Sequence, residues 1–384
     1  MTTSAVSNKS SSSDASGETV NTMGPGNVSN FYCHFQEDFK YILLPVSYSL
    51  VFVFGLALNF TAVYVIVFRT KRWNPSTIYM FNLTVCDTLY ILTLPFLIYY
   101  YAVKNDWPFG ELFCKLIRFL FYTNLYGSIL FLCCISLHRF VGICYPVRSL
   151  KWISAGRAKL VSVAVWVCVL FCQAPILYFS RMRDVTTERI CYDTTSPEFF
   201  DDFLVYSSAV TVFMFVLPFM VLLVCYGLMV QKLLEPSWGS DTLAQGGGAD
   251  QEAIPTKQKS VKMIIIVLAT FMLCFLPFHL TRSLYYCFRY LRQFNPAQVS
   301  CYLLEASSIA YKVTRPFASA NSCMDPILYF LAGQDARTNL TRKKMFLRRQ
   351  DESEGWSLEP TQHGHRQTYL TGARAQVSVC SGPV

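Results

Sequence analysis

Long stretches without charge constrain this chain more than any other feature of its sequence. The segments 41–68, 160–179 and 203–230 contain no charged residue. About 20 predominantly apolar residues are enough for a helix to cross the hydrocarbon core of a bilayer. Only 15% of the 384 residues are charged, whereas a soluble domain has about 25%. The sequence therefore predicts a membrane protein, and its net charge of +9 does not point to a nucleic-acid polymer as a partner.

Seven stretches of this kind predict an all-α membrane protein whose core, residues 41–332, is a bundle of seven transmembrane helices. The third and the seventh stretch are more polar than the others, because each contains several charged residues. The predicted spans are 41–68, 76–102, 112–144, 160–179, 203–230, 263–281 and 303–332.

The distribution of Lys and Arg predicts the orientation of the bundle. These residues concentrate in 69–75, 145–159, 231–262 and 333–350, and cytoplasmic loops hold an excess of them. We therefore expect a multi-pass plasma-membrane protein with its amino terminus outside and its carboxyl terminus in the cytoplasm.

The segments outside the core are polar and have separate predicted roles. Residues 1–40 form an extracellular tail with glycosylation sequons at Asn8 and Asn27. Residues 333–349 alternate basic and apolar residues, which is typical of a short amphipathic helix on the lipid of the inner leaflet. Residues 350–384 are polar and predict a disordered cytoplasmic tail.

Cationic side chains lie in the outer halves of three predicted spans, where ionisable groups are costly unless they have a function. They suggest a cup for a polyanion, since arginine binds phosphate and carboxylate oxygens in pairs. Snorkelling towards lipid headgroups is the alternative, above all for Lys312. Two tyrosines below the cup would form an aromatic floor for a ring, with core packing as the alternative. These residues are Arg118, His279, Arg282, Lys312, Arg315, Tyr122 and Tyr126.

A second polar group lies in the middle of the membrane: Asn59, Asp87, Ser128, Asn321 and Asp325. Such oxygen ligands suit a hard cation such as sodium, and hydrogen bonding between helices is the structural alternative. We expect no other metal and no organic cofactor.

Two pairs of cysteines are positioned for oxidation on the outer side. Cys114 opens the third span and Cys191 lies in the longest outer loop, whereas Cys33 precedes the first span and Cys301 the seventh. Cys287 is a competitor for Cys33.

Motifs of catalysis are missing from the sequence. It contains no GxxxxGK[ST] phosphate loop, no HExxH and no paired CxxC. We therefore expect no catalytic residue and no enzyme activity.

Several motifs in matching spans resemble those of rhodopsin-like G-protein-coupled receptors over roughly residues 40–345. No single motif is specific, but the ordered set is. It comprises Gly55-x-x-x-Asn59, Leu83-x-x-x-Asp87, Cys114, Ser136-Leu137-His138-Arg139-Phe140, Trp166, Pro218 with Tyr226, Cys274-Phe275-Leu276-Pro277 and Asp325-Pro326-x-x-Tyr329.

Three departures from the broad pattern resemble the purinergic and pyrimidinergic nucleotide receptors. His138 replaces an acid, Phe275 a Trp and Asp325 an Asn, and the segments 278–282 and 311–316 add to the likeness. The segments 37–40, 107–109, 118–122 and 318–323 are similar to those of members activated by UTP and ATP.

The resemblance implies a nucleotide agonist, coupling mainly to a Gq-class G protein with phospholipase C and calcium release, and regulation by arrestin and receptor kinases. It places the phosphates on the five cations of the cup and the base or ribose near Tyr122, and it pairs Asp193 with Arg315. It assigns coupling and activation to His138, Arg139, Tyr226, Phe275, Pro277, Asp325, Pro326 and Tyr329.

Two rival functions remain open from the sequence. A lipid mediator or a dicarboxylate is also an anion and would use the same fold and some of the same cations. An anion transporter or channel would use the cationic cup as a relay.

Overall fold

The computed structural model describes residues 33, 35–71, 73–145, 153–185, 188–192, 195, 197–234, 262–295 and 297–355, with the last 25 of these given by their backbone. Three residues that the sequence singles out, Asn8, Asn27 and Asp193, lie outside these ranges. In the described chain, helices dominate and one short hairpin provides the only strands.

Six helices are long and apolar enough to cross a membrane. A seventh, α7 (Cys301–Gly355), follows them and is more polar, with Glu305, Lys312, Arg315 and Asp325 among its residues. Together they form the all-α seven-helix bundle that the sequence predicts. The six are α1 (Lys40–Arg69), α2 (Pro75–Ala102), α3 (Gly110–Cys144), α4 (Ala155–Phe179), α5 (Phe200–Lys232) and α6 (Lys262–Phe294).

Interruptions divide most of these helices, and prolines accompany several of them because proline removes a backbone donor. A wider π turn ends α1 and another lies within α6, just ahead of Pro277. The regular segments of the first six helices are Lys40–Tyr64, Pro75–Ile91, Leu94–Ala102, Gly110–Cys144, Ala155–Gln173, Ile176–Phe179, Phe200–Thr211, Leu217–Leu234, 262–270 and Leu276–Phe294, with π turns at Val65–Arg69, Val212–Val216 and Phe271–Phe275.

One end of the bundle carries a hairpin and two disulfides. Strand β1 (Met182–Val185) pairs antiparallel with β2 (Glu188–Cys191), and Met182 faces Cys191 in the register. A 3-10 turn at Pro197–Phe199 leads into α5. The backbone nitrogen of Trp107, before α3, donates to the carbonyl of Arg189 at 2.8 Å. We call this end, defined by Cys33–Cys301 and Cys114–Cys191, the disulfide end.

Apolar side chains cover the outside of the bundle as well as its core. Ile42, Phe60 and Phe171 are more than two thirds exposed, as expected where lipid rather than water is the solvent. In the core, Trp107 and Phe275 are fully buried. Polar and charged groups therefore face inward, the reverse of a soluble protein.

The described residues from position 334 onward belong to a second unit of the chain. The described part of this unit is helical up to Gly355. The prediction that 333–349 lies on the inner leaflet stays a prediction.

Candidate functional site

Three arginines from three different helices are buried near the disulfide end. Arg118 on α3, Arg282 on α6 and Arg315 on α7 are each only 2–3% exposed. An arginine cannot lose its charge in a protein, so burying it is costly unless it is well partnered or serves a ligand. The sequence predicts this group from the isolated charges in apolar stretches.

Hydroxyl groups and aromatic rings surround Arg282. Its Nη2 donates to Ser207 Oγ at 2.8 Å, its Nη1 to Tyr126 OH at 3.2 Å and its Nε to Tyr286 OH at 3.3 Å. The guanidinium also lies 4.8 Å from the centre of the Tyr122 ring. These partners fix the guanidinium group in place but carry no negative charge, so the cation remains available to an anion.

Hydrogen bonds donated to carbonyl and hydroxyl oxygens help to orient the other two arginines. Arg118 Nη2 donates to the carbonyl of Cys191 at 3.4 Å, which ties it to the disulfide beside it. Arg315 Nη1 donates to Tyr101 OH at 3.2 Å, and its guanidinium lies 5.9 Å from the Tyr311 ring. Asp193, the predicted partner of Arg315, lies outside the described residues.

His279 packs beside this group on α6. Its ring stacks on Phe215 at 4.0 Å between centroids and meets Tyr126 edge-on at 5.7 Å. Its Nδ1 lies 2.9 Å from the carbonyl of Phe275 one turn earlier, and its Nε2 has no hydrogen-bond partner among the described residues. The ring is thus fixed by its own helix, and its predicted contact with a phosphate stays a prediction.

Tyrosines contact two of the arginines, and Tyr311 interacts electrostatically with both Arg282 and Arg315. Tyr122 and Tyr126, predicted as an aromatic floor, are both buried, and their rings are stacked at 6.4 Å. No site role is predicted from the sequence for Tyr286 or Tyr311, although Tyr286 is four residues after Arg282 and so shares its helix face. With 23 tyrosines in the chain, composition gives no way to choose among them.

Lys312 has an acidic partner that the sequence does not predict. Its Nζ pairs with Glu37 Oε2, which also accepts from Lys40 Nζ at 3.1 Å. Glu37 Oε1 accepts from Ser308 Oγ at 3.0 Å. Burial alone would raise the pKa of Glu37, but Lys312 and Lys40 outweigh it and hold that pKa below its ordinary value. We call Glu37, Lys40, Ser308 and Lys312 the Glu37 cluster.

Both predicted disulfides are present. Cys33 is bonded to Cys301 and Cys114 to Cys191, with Cα–Cα distances of 5.5 and 5.8 Å. Cys287 is a free and exposed thiol, so the alternative pairing with Cys33 is excluded. The predicted pairs are confirmed.

The mid-membrane polar residues are brought together in the core. Asp87 Oδ1 accepts from Asn124 Nδ2 at 2.8 Å, and Asn59 Nδ2 donates to the carbonyl of Ser322 at 2.8 Å. Asp87 interacts electrostatically with Asp325, which lies against Ser128. Asn321 is also fully buried. These oxygens fit a hard cation, although the described residues contain no group of three His, Cys, Asp or Glu side chains able to hold a metal.

Some of the residues predicted for coupling lie towards the other end of the helices: His138, Arg139, Tyr226 and Tyr329. His138 is 24 positions after Cys114 on α3, a rise of about 36 Å. His138 Nδ1 lies 3.1 Å from Ser76 Oγ, and Tyr226 OH makes a hydrogen bond with Ser136 Oγ. Tyr329 OH lies 3.2 Å from Thr70 Oγ1. Phe275 and Asp325 are buried and lie between the two ends, with Pro277 and Pro326 beside them in the sequence. Arg139, next to His138, is partly buried.

Comparisons with known proteins agree with this arrangement. The family model of the 7 transmembrane receptors (rhodopsin family) matches residues 58–329. The chain is 49% identical to purinoceptor 2 of Homo sapiens over 356 residues, which is 89% of this chain and 90% of the relative. It is 48% identical to purinoceptor 4 of Homo sapiens over 318 residues, 83% and 82% of the two chains. It is 42% identical to purinoceptor 1 of Meleagris gallopavo over 322 residues, 83% of each.

Proposed function

The chain belongs to the rhodopsin family of seven-transmembrane receptors, and on that premise we propose that it is a receptor for an extracellular nucleotide, UTP or ATP. As a member of this family it is a multi-pass plasma-membrane protein that acts through a heterotrimeric G protein, and it is not an enzyme. We propose a G protein of the Gq class, with phospholipase C and calcium release downstream. The observation that carries the proposal is the burial of Arg118, Arg282 and Arg315, from three different helices, with tyrosines in contact with Arg282 and Arg315.

The chemistry of the site supports a polyphosphate rather than an amine. Guanidinium groups bind phosphate oxygens in pairs, and here three of them come from three helices. The tyrosine rings, Tyr122 foremost, supply a surface for a base or ribose. The relatives carry the name purinoceptor, which agrees with a nucleotide.

Binding would act by shifting a population of conformations. A polyanion that contacts α3, α6 and α7 together binds best where these helices are close at the disulfide end, so it stabilises that arrangement. Pro277 and Pro326 are points at which packed helices can bend. Movement at the other end would expose Arg139 and Tyr226 to the G protein.

The orientation follows from the same proposal. The disulfide end faces outward, with the sequons Asn8 and Asn27 on the same side, because disulfides and glycans are added outside the cytoplasm. The carboxyl-terminal segment then lies in the cytoplasm, where receptor kinases and arrestin would act on it.

Intracellular calcium in otherwise unresponsive cells tests the ligand. We expect UTP or ATP to evoke release, and Arg282→Ala to remove the response with the protein still at the surface. Arg282→Lys keeps the charge but not the fork, so it should retain a weakened response. UDP, ADP, a lysophospholipid and succinate serve as competing ligands.

A response to the lipid or to succinate, with none to nucleotides, would mean that the site binds a different anion. Current carried by the purified protein in liposomes would support the transporter alternative. The control is a second receptor, expressed in the same cells, that shows the Gq pathway to be functional. If that receptor evokes calcium release but this chain responds to none of the ligands, the nucleotide proposal is contradicted.

We also propose a sodium site in the polar core, held by Asp87, Ser128, Asn321 and Asp325 with Asn59 nearby. Thermal stability of the purified receptor should be higher in sodium than in choline at equal ionic strength. Asp87→Asn should abolish that difference, whereas Asp38→Asn, an exposed acid before α1, should preserve it. An equal effect of both cations on the wild type would refute the site.

A further inference from the structure

The Glu37 cluster places a carboxylate of the protein itself beside the anion site. Glu37 is only 7% exposed, and its two oxygens contact Lys312, Lys40 and Ser308. The lysine and the serine at 312 and 308 are four residues apart on α7 and so share one face. The carboxylate is thus held in place by these side chains rather than lying free at a surface.

Two further contacts fasten the segment that carries Glu37. Cys33 is bonded to Cys301 at the start of α7. The backbone nitrogen of Gln36 donates to Glu305 Oε1 at 2.8 Å. Cys33, Gln36 and Glu37 therefore lie along the first turns of α7, and these contacts hold Glu37 close to Lys312.

Lys312 lies three residues before Arg315 on the same helix face, so a phosphate chain bound at Arg315 comes within reach of Lys312. A charged side chain that is already neutralised by an acid gains less from a second anion, because the first must be displaced. Arg282, whose hydrogen-bond partners are one serine and two tyrosines, does not have this obstacle.

We infer that Glu37 is an internal competitor of the nucleotide for Lys312, which limits affinity and sets how much a further phosphate adds. The inference rests on the proposed function. The nucleotide binds Arg282 first, and contact with Lys312 requires that Glu37 withdraw. Glu37 therefore influences specificity without contacting the ligand, because it keeps the ligand away from Lys312.

Equilibrium binding to the purified full-length receptor tests this inference, with UTP, UDP and UMP as probes. Glu37→Gln keeps the size of the side chain and removes its charge. We expect it to bind UTP roughly five- to tenfold more tightly than the wild type, with smaller gains for UDP and UMP. Adding Lys312→Gln to Glu37→Gln should cancel the gain, because the cation that the extra phosphate would contact is then gone.

Asp38→Asn is the matched control, since it removes one negative charge from the same segment at an exposed position. It should leave UTP affinity within about twofold of the wild type. If Glu37→Gln does not fold, Glu37→Asp withdraws the carboxylate by one methylene and should give a smaller gain of the same sign.

A second measurement needs no nucleotide. Modification of Lys312 by an amine-reactive reagent, followed by mass spectrometry, should be faster in Glu37→Gln than in the wild type and Asp38→Asn. If UTP binds to no variant, the proposed function fails, and the labelling still decides whether Glu37 protects Lys312. The inference is overturned if UTP binds to the wild type but Glu37→Gln binds it equally or more weakly, if Asp38→Asn gives the same gain, or if labelling is unchanged.

Discussion

Arg282 is held in this bundle by groups that do not cancel its charge. It donates to one serine and two tyrosines and lies over a third tyrosine ring. Hydrogen bonds to a charged donor offset part of the cost of burial, and the quadrupole of the ring adds attraction. A carboxylate in their place would stabilise the empty receptor more and leave less for the ligand. The tyrosines therefore stabilise buried Arg282 and leave its positive charge unneutralised.

Lys312 follows the opposite rule, because Glu37 neutralises it. Two lysines share one acid, so removal of the acid leaves two cations close together with no compensation from that side chain. The difference between Lys312 and Arg282 depends on which side chains other parts of the chain bring to each of them.

The pH dependence of stability follows from the same contact. The pKa of Glu37 is lower in the folded protein than its ordinary value of 4.5. The unfolded chain therefore binds the proton first, so the contribution of Glu37 is complete above about pH 5 and is lost as the pH falls through the folded pKa. Thermal midpoints of the purified receptor between pH 7 and pH 3 should fall less steeply for Glu37→Gln than for the wild type.

Asp106 provides the control for that profile. Its pKa is also lowered, chiefly by hydrogen bonds from Arg189, but the carboxylate is exposed, and such pairs contribute little. Asp106→Asn should therefore follow the wild-type curve. Identical acid profiles for the wild type and Glu37→Gln would contradict the contribution assigned to Glu37.

Two covalent bonds join elements at the disulfide end. The bond from Cys33 to Cys301 connects the segment before α1 to the start of α7 across 268 positions of sequence. Closing so long a loop removes much of the entropy of the unfolded chain. The same bond holds the segment that carries Glu37 close to Lys312. It therefore contributes to the stability of the fold and also to the neutralisation of Lys312.

Replacing Cys33 and Cys301 by serine together should lower stability by about 2–4 kcal/mol, measured by thermal unfolding in detergent. The double variant should also release the Glu37 contact and modify Lys312 faster. Cys287→Ser removes a thiol that is free and exposed and should have neither effect. Equal losses in the two variants would contradict the assignment of the bond.

The sequence predicts a helix or a strand well when the pattern that specifies it lies within that same segment of sequence. The uncharged stretch 41–68 predicts α1, which runs from Lys40 to Arg69, because hydropathy alone requires a span there. The predicted end of the sixth span at 281 falls short of Phe294, since the last turns of α6 are amphipathic and bury Arg282, Arg289 and Arg292. The hairpin Met182–Cys191 has no apolar alternation, so no pattern indicates it.

The same distinction applies to the candidate site. The three arginines are predictable because a charge inside an apolar stretch stands out against its neighbours. Glu37 is not, since an acid in a polar segment resembles its neighbours and its partner is on α7, far away in the sequence. The disulfide pair is predictable from the two cysteines, but the contact that it brings about depends on tertiary packing.

At the scale of the whole molecule, the cationic site and the predicted coupling residues are separated by the length of α3. Cys114 lies beside the first and His138 beside the second, about 36 Å apart along the helix. No side chain spans that distance, so in the proposed mechanism the two ends communicate by a movement of packed helices between two arrangements. The buried polar core around Asp87 and Asp325, and the prolines at 277 and 326, lie between the two ends.

Reciprocal binding tests this coupling most directly. If a nucleotide favours the arrangement that binds the G protein, then nucleotide-free G protein must favour the arrangement that binds the nucleotide by the same factor. Saturating Gq heterotrimer should therefore tighten UTP binding to the purified receptor, by roughly 5- to 150-fold. Arg139→Ala should weaken that tightening while leaving the affinity of the receptor alone nearly unchanged, because Arg139 lies at the end that does not contact the ligand. Equal UTP affinity with and without the G protein would mean that the two ends are not coupled in this way, even if both sites are present.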